Sequence, residues 1–247
     1  MALYTDGNIS TLSDLQGHDS ALLEVSNTEG IDLTSKLEIA EAEIGLEIEA
    51  VLLQRATIGI ARTQLSQVVV TTGLRRWHTL HALALAYGDA YNSQFNDRYR
   101  GKWRRFARLA KSAADLFFQI GIGIVLQPIP RAKPPLVTLG AAGTAPAGTY
   151  LVQVAWRSAA GTVGAPSAEV VVIANNGEEV LVDAPDPPPT ATAFDVFMAV
   201  MGTEATLQNA VPVPAGQVFA LPDIGVVAGE PPSSGQAPDF HLYRNRI

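Results

Sequence analysis

Apolar positions recur at steps of three and four residues in the first half of the chain and alternate in the second. Leu33, Leu37, Ala40, Ile44, Ile48, Val51 and Leu52 form one stripe, which predicts a helix capped by Asp32 or Thr34 and running to about Gln54. Its other face holds Glu38, Glu41, Glu43, Glu47 and Glu49. A shorter helix is expected before it, capped by Ser10 or Ser13, running to about Glu24 and broken at Asn27 to Gly30. Residues 55–71 read as a less regular connection. A third helix is expected from about Thr72 to Ser93, with Leu74, Trp77, His81, Ala84, Gly88 and Tyr91 on one side. A fourth is expected from about Asn96 to Phe118, where Tyr99, Trp103, Phe106, Ala110, Ala113 and Phe117 keep the spacing of a bundle seam. The expected bundle core is Trp77, Tyr91, Tyr99, Trp103, Phe106 and Phe117. The opposite face of the fourth helix carries Arg98, Arg100, Lys102, Arg104, Arg105, Arg108 and Lys111.

Gly121 and Gly123 stop the helical pattern, and the proline-rich stretch from Gln127 to Pro135 reads as a stiff linker, because proline blocks helix continuation. Beyond it, Tyr150, Val152, Val154 and Trp156 face one way along a strand from Gly148 to Ser158. Further strands are expected at 169–174, 179–183, 193–200 and 217–221, with turns at Ala160-Gly161, Asn175-Asn-Gly177 and Met201-Gly202. Short strands with Gly and Pro punctuation indicate an immunoglobulin or fibronectin III-like β-sandwich. The fold class is therefore α+β and multidomain, a helical bundle followed by that sandwich. The expected boundaries are 1–126 for the helices, 127–135 for the linker, 136–228 for the sandwich and 229–247 for an extended tail.

Charge changes this picture more than composition does. Residues 1–54 carry eleven acids against Lys36, residues 55–115 carry eleven Arg or Lys against three acids, and the remainder is mildly acidic. Such segregation suits contact between copies of the chain or with DNA, or it marks solvated helix faces. Hydrophobic residues make up 47% of the 247, enough for a sizeable core, and the absence of cysteine excludes disulfides, thiol catalysis and thiolate-bound metal. No signal peptide or membrane span is expected; the apolar run from Ile120 to Leu126 is too short.

Catalytic chemistry is not indicated. His78 and His81 lie three apart on a helix, the spacing of a metal pair, but no third ligand stands in a motif nearby; His18 and His241 are isolated. Gly121-Ile-Gly123 follows a helix and lacks the third glycine of a dinucleotide loop. No enzyme activity, cofactor or metal is expected. Tyr99-Arg-Gly-Lys-Trp-Arg-Arg-Phe106 mixes cations with rings as nucleic-acid binders do, yet the rings fall on the seam and the cations opposite.

The stretch from Leu85 to Phe106, with Asn96-Asp-Arg-Tyr99 after a short break and then Lys102-Trp103, resembles the third and fourth helices of head–tail connectors (adaptors) of tailed bacteriophages. Leu12-Ser-Asp-Leu15 and Asp19 to Leu23 resemble the opening element of such connectors. Gly148 to Ser158, Gly164-Ala-Pro-Ser167 and Phe194-Asp-Val-Phe197 resemble the fibronectin-like module that some of them append. The resemblance implies a structural virion protein in the neck between capsid and tail, assembled in the host cytoplasm. It implies a homo-oligomeric ring, dodecameric, docked below the portal protein and presenting a platform to tail or tail-completion proteins, with double-stranded DNA passing non-specifically through its channel. On that reading the cations of the fourth helix serve inter-subunit contacts or the channel, and the acidic face complements them. Two other classes stay open. One is a surface adhesion module binding carbohydrate through the sandwich, against which stands the lack of Tyr or Trp in residues 159–168 and 201–210. The other is a non-specific DNA-binding protein using residues 98–111, against which stands the acidic total charge.

Overall fold

A computed structural model describes residues 1–56, 63–94, 97–141, 143 and 145–244. The chain is α+β, and the described residues form five α-helices in its first half and a β-sheet region in its second. It divides into two compact units: residues 7–125 with 238–247, and residues 1–6 with 126–237. Both termini therefore belong to the unit remote from them in sequence.

The helical unit opens with α1, Leu12–His18, and α2, Leu22–Glu29. Thr11 caps α1, accepting from the Asp14 amide while the Asp14 carboxylate accepts from the Thr11 amide. Ser10, expected as a cap, instead turns its hydroxyl onto His78. Where one helix to about Glu24 was expected there are two, separated at residues 19–21, and the second runs through residues 27–29, expected as a break, to end at Gly30.

Helix α3, Leu33–Ala56, follows, with Asp32 accepting from the Thr34 and Ser35 amides at its start. Its predicted stripe is buried throughout. Helices α4, Thr72–Gln94, and α5, Asp97–Ile120, form the antiparallel pair at the centre of the unit. The expected start at Asn96 and part of the 55–71 connection, residues 57–62, lie outside the described residues. Trp77, Phe117 and Phe118 cluster with ring centroids 5.3–5.6 Å apart, and Phe106 stacks on Tyr87 at 5.5 Å with planes 8° apart.

Gly121 ends α5 at φ +101°, a left-handed conformation that side chains disfavour, and a Cβ there would meet the His241 and Tyr243 side chains. Strand β1, Ile122–Ile124, then pairs antiparallel with a strand near the C-terminus, Phe240–Leu242. On its other side β1 meets residues 67–69, through Val69 N to Gly123 O and Val125 N to Gln67 O, each 2.9 Å. Tail residues 238–244 thus form part of the helical unit, and residues 245–247 of the expected tail lie outside the described residues.

The second unit is built from β2 (Leu136–Gly140), β3 (Gly148–Arg157), β4 (Val170–Ala174), β5 (Glu179–Asp183), β6 (Ala193–Val200), β7 (Thr206–Leu207), β8 (Val213–Pro214) and β9 (Phe219–Ala220). The C-terminal strand just described is β10. A three-stranded sheet runs β2-β5-β9, and a larger one runs β4-β3-β6-β7 with β8 also on β6; all pairings are antiparallel. The Asn175–Gly177 turn joins β4 to β5 across the two sheets, so its ends do not pair. Tyr150, Val152, Val154 and Trp156 are buried on one face of β3, as their alternation predicts. They share a core with Phe194, Val196 and Met198 of β6 and Val180 and Val182 of β5.

The stretch read as a linker, 127–135, packs here. Ile129 and Ala132 enter the core, and the Ile129 amide donates to Gln236 Oε1 at 2.6 Å. Prolines block helix without preventing burial of the apolar residues between them. The N-terminus joins this unit through Leu3 and Tyr4, both buried, and through Asp6, which accepts from the Arg131 amide at 2.8 Å.

Candidate functional site

Helix α5 is tethered on one side by a polar cluster that the sequence does not announce. Asp19 accepts from Lys102 Nζ at 2.7 Å and from the Tyr87 hydroxyl at 2.6 Å, and Lys102 lies 5.0 Å from the Tyr87 ring centroid. Tyr99 donates to Glu29 at 3.0 Å. Burial pulls the Asp19 carboxyl upward, but the hydrogen bonds from Lys102 and Tyr87 outweigh it and hold the carboxyl below its ordinary value. The Tyr87 hydroxyl is pushed up, by burial first and then by Asp19.

Lys102 therefore leaves the set assigned to an outward basic face; it secures α5 to the loop between α1 and α2. The other members, Arg98, Arg100, Arg104, Arg105, Arg108 and Lys111, are exposed. Arg100 reaches Asp97 at 3.5 Å, and Arg98 and Arg105 lie over the rings of Tyr99 and Phe106.

The acidic set on α3 divides as well. Glu43 pairs with His81 of α4 at 2.6 Å, and Lys36 pairs with Asp89 at the same distance, so both clamp α3 to α4. Glu41 is half-buried; burial, then the nearby Glu38, raise its carboxyl above the usual range. Glu38, Glu47 and Glu49 are exposed. The face directly opposite the core is not acidic. It carries Ile39, Leu46 and Leu53, which are 38%, 68% and 54% exposed, with the glutamates on its flanks. Their spacing of seven residues is legible in the sequence but is masked there by the denser core stripe.

Of the six expected core aromatics, Trp77, Tyr99, Phe106 and Phe117 are buried. Tyr91 and Trp103 are only half-buried and stack on each other at 5.5 Å with planes 13° apart. Trp103 leans on α4 at Gly88, where a Cβ would come within 3.2 Å of the indole nitrogen. It sits at the seam's edge, so its other side lines a groove. The groove is floored by Trp77, Ala84 and Leu85 of α4 and walled by Trp103, Ala107 and Ala114 of α5. Glu47 of α3, Lys111 and Arg244 stand at its rim, and its volume is about 500 Å³.

His78 and His81 do not converge. His78 is buried, with Nε2 3.0 Å from the Leu37 carbonyl and Nδ1 2.6 Å from the Ser10 hydroxyl. A carbonyl only accepts, so Nε2 carries the proton and Nδ1 accepts from Ser10. Burial lowers the imidazole to about 4. Among the described residues no group of three or more His, Asp or Glu is placed to hold a metal ion, and no helix is long and apolar enough to cross a membrane. No protein family, curated protein or solved structure matches the chain.

Proposed function

We propose that this chain is a structural subunit that assembles with copies of itself into a ring, as the resemblance to head–tail connectors of tailed phages implies. The ring would lie in the virion neck below a portal protein and receive tail or tail-completion proteins. The observation that carries this reading is the segregation of exposed charge on one folded unit. Six cations stand outward on α5, whereas exposed Glu38, Glu47 and Glu49 lie on α3. Each exposed ion pair contributes only about 0–1 kcal/mol, so an array of several, repeated at every interface, is the setting in which they matter. Cations not used between copies would line the channel and meet phosphate without reading sequence.

On this reading the second unit is an immunoglobulin or fibronectin III-like sandwich. The order β4-β3-β6-β7 matches the C′-C-F-G sheet of that fold, and Trp156 is buried on the strand at the C position. The pair β2-β5 would stand for B and E, while β9, which follows the other strands, departs from the standard plan.

A second reading, non-specific DNA binding by an isolated chain, draws on the same cations and on the half-exposed Trp103. Light scattering and electron microscopy of the purified chain, with and without a phage portal, separate the two. Closed rings support the proposal. A chain that stays monomeric at every concentration and binds duplex DNA overturns it.

A further inference from the structure

Helix α3 has two apolar stripes on opposite sides. One, from Leu33 through Val51, is buried against α4. The other, Ile39, Leu46 and Leu53, faces solvent. Seven residues at about 100° each return almost to the starting direction, so these three form a straight ridge about 21 Å long. Exposed apolar residues on a monomer are ordinarily scattered, whereas a heptad row is the pattern of a helix seam. The ridge is bordered by Glu38 and Glu49 on one side and by Glu43 and Glu47 on the other.

The groove over α4 has the complementary character. Its α5 lining includes the small residues Ala107, Ala110 and Ala114, which let a helix approach closely, together with Trp103 and Phe118. Arg104 and Arg108 lie beside it, next to Trp103 and Ala107, and its own lining carries Lys111 and Arg244 against Glu47 and Asp115, so cations outnumber acids along it. An acid-flanked leucine ridge therefore complements, in apolar character and in net charge, a groove where cations are in excess.

Resting on the ring reading above, we propose that the α3 ridge of one copy seats in the α4–α5 groove of the next. Ridge and groove are different surfaces of the same chain, so the contact is head-to-tail, and repetition closes a ring or runs on as a filament. A two-fold contact of ridge on ridge would set glutamates against glutamates. Leu46 is the central knob, and the cations of α5 select the acidic helix over other partners.

The test uses full-length chains. Leu46→Arg removes the ridge, and Ala107→Glu fills the groove and places an acid against the incoming glutamates. Both sites are exposed, and circular dichroism of each variant establishes that it is folded. Each variant alone is expected to be monomeric by light scattering. Their mixture is expected to give a one-to-one heterodimer and nothing larger, because one intact ridge and one intact groove remain. As the chain has no cysteine, mixing Leu46→Cys with Ala107→Cys chains should also yield a disulfide-linked heterodimer on mild oxidation. Oligomers of wild-type size from Ala107→Glu alone, or cross-linking of Leu46→Cys with itself, point to ridge-on-ridge pairing and overturn the inference. Wild-type rings that neither variant disturbs overturn it while leaving the ring reading standing. A wild-type chain that is monomeric throughout overturns both.

Discussion

Acidification should weaken the helical unit through His78, by an amount the structure allows to be worked out. The imidazole is buried between Ser10 and the Leu37 carbonyl, and its neutral tautomer satisfies both. Folding lowers it from 6.5 to about 4. Above 6.5 neither the folded nor the unfolded chain holds the proton, and the neutral side chain's contribution is intact. Between 6.5 and about 4 the unfolded chain binds a proton that the folded one refuses, so stability falls as pH falls. At ~1.4 kcal/mol per unit, the loss across that window is about 3 kcal/mol, a large share of the ~5–15 kcal/mol that holds a domain together. Glutamine at position 78 can still donate to the Leu37 carbonyl and does not titrate. Urea unfolding of wild type and His78→Gln, followed by circular dichroism across this range, isolates the histidine from the carboxylates that both proteins share. The wild type should lose about 3 kcal/mol more than the variant on descending to about pH 4. Parallel stability profiles, or an imidazole NMR signal titrating near 6.5 in the folded protein, would refute the reasoning.

Three further outcomes are expected. Phe106→Ala, which removes a buried ring stacked on Tyr87, should cost about 3–5 kcal/mol, and Trp103→Ala clearly less because one side of its ring already faces the groove; equal midpoints in thermal unfolding would contradict this difference. Asp19→Ala strips Lys102 and the Tyr87 hydroxyl of their shared acceptor and should cost about 2–4 kcal/mol, whereas Arg105→Ala, on the exposed side of the same helix, should stay within about 0.5 kcal/mol; chemical denaturation of the two variants ranks them. Truncation after Gln127 removes β10 and leaves the edge of β1 without its partner strand, so amide exchange at Ile122–Ile124 should rise to that of an open edge; full protection in the truncated chain would show that β1 needs no C-terminal strand.

The existence and position of the three long helices, α3, α4 and α5, were legible locally, whereas the division of the opening helix into α1 and α2 was not. The stripes on α3 and α5 obey the helical period, and their buried members lie where the period puts them, because burying one face of a helix against a neighbour dominates its energetics. The alternation in β3 and β6 was legible for the same reason at period two. Strands β1, β7 and β8, two or three residues each, were too short to carry a period, whereas β9 falls within the strand expected at 217–221, and β10 exists only because Ile122–Ile124 offers it an edge.

Charge was legible as a sum and misleading as a surface. The count of acids on α3 and bases on α5 came directly from the sequence, but which of them remain outward was decided in three dimensions. Lys102 reaches Asp19, 83 residues away, and Glu43 reaches His81. The same holds for the rings at 91 and 103, whose place on the seam ended at its solvent edge. The sequence by itself determined the two regimes of periodicity, the punctuation between them and the inventory of charge, because these are properties of neighbours in the chain. The tertiary structure alone decided that the termini join the opposite units, that the proline-rich stretch contributes to a core, and that the heptad of Ile39, Leu46 and Leu53 stays uncovered. Those outcomes depend on which surfaces remain uncovered once distant segments have packed, and no local pattern carries that information.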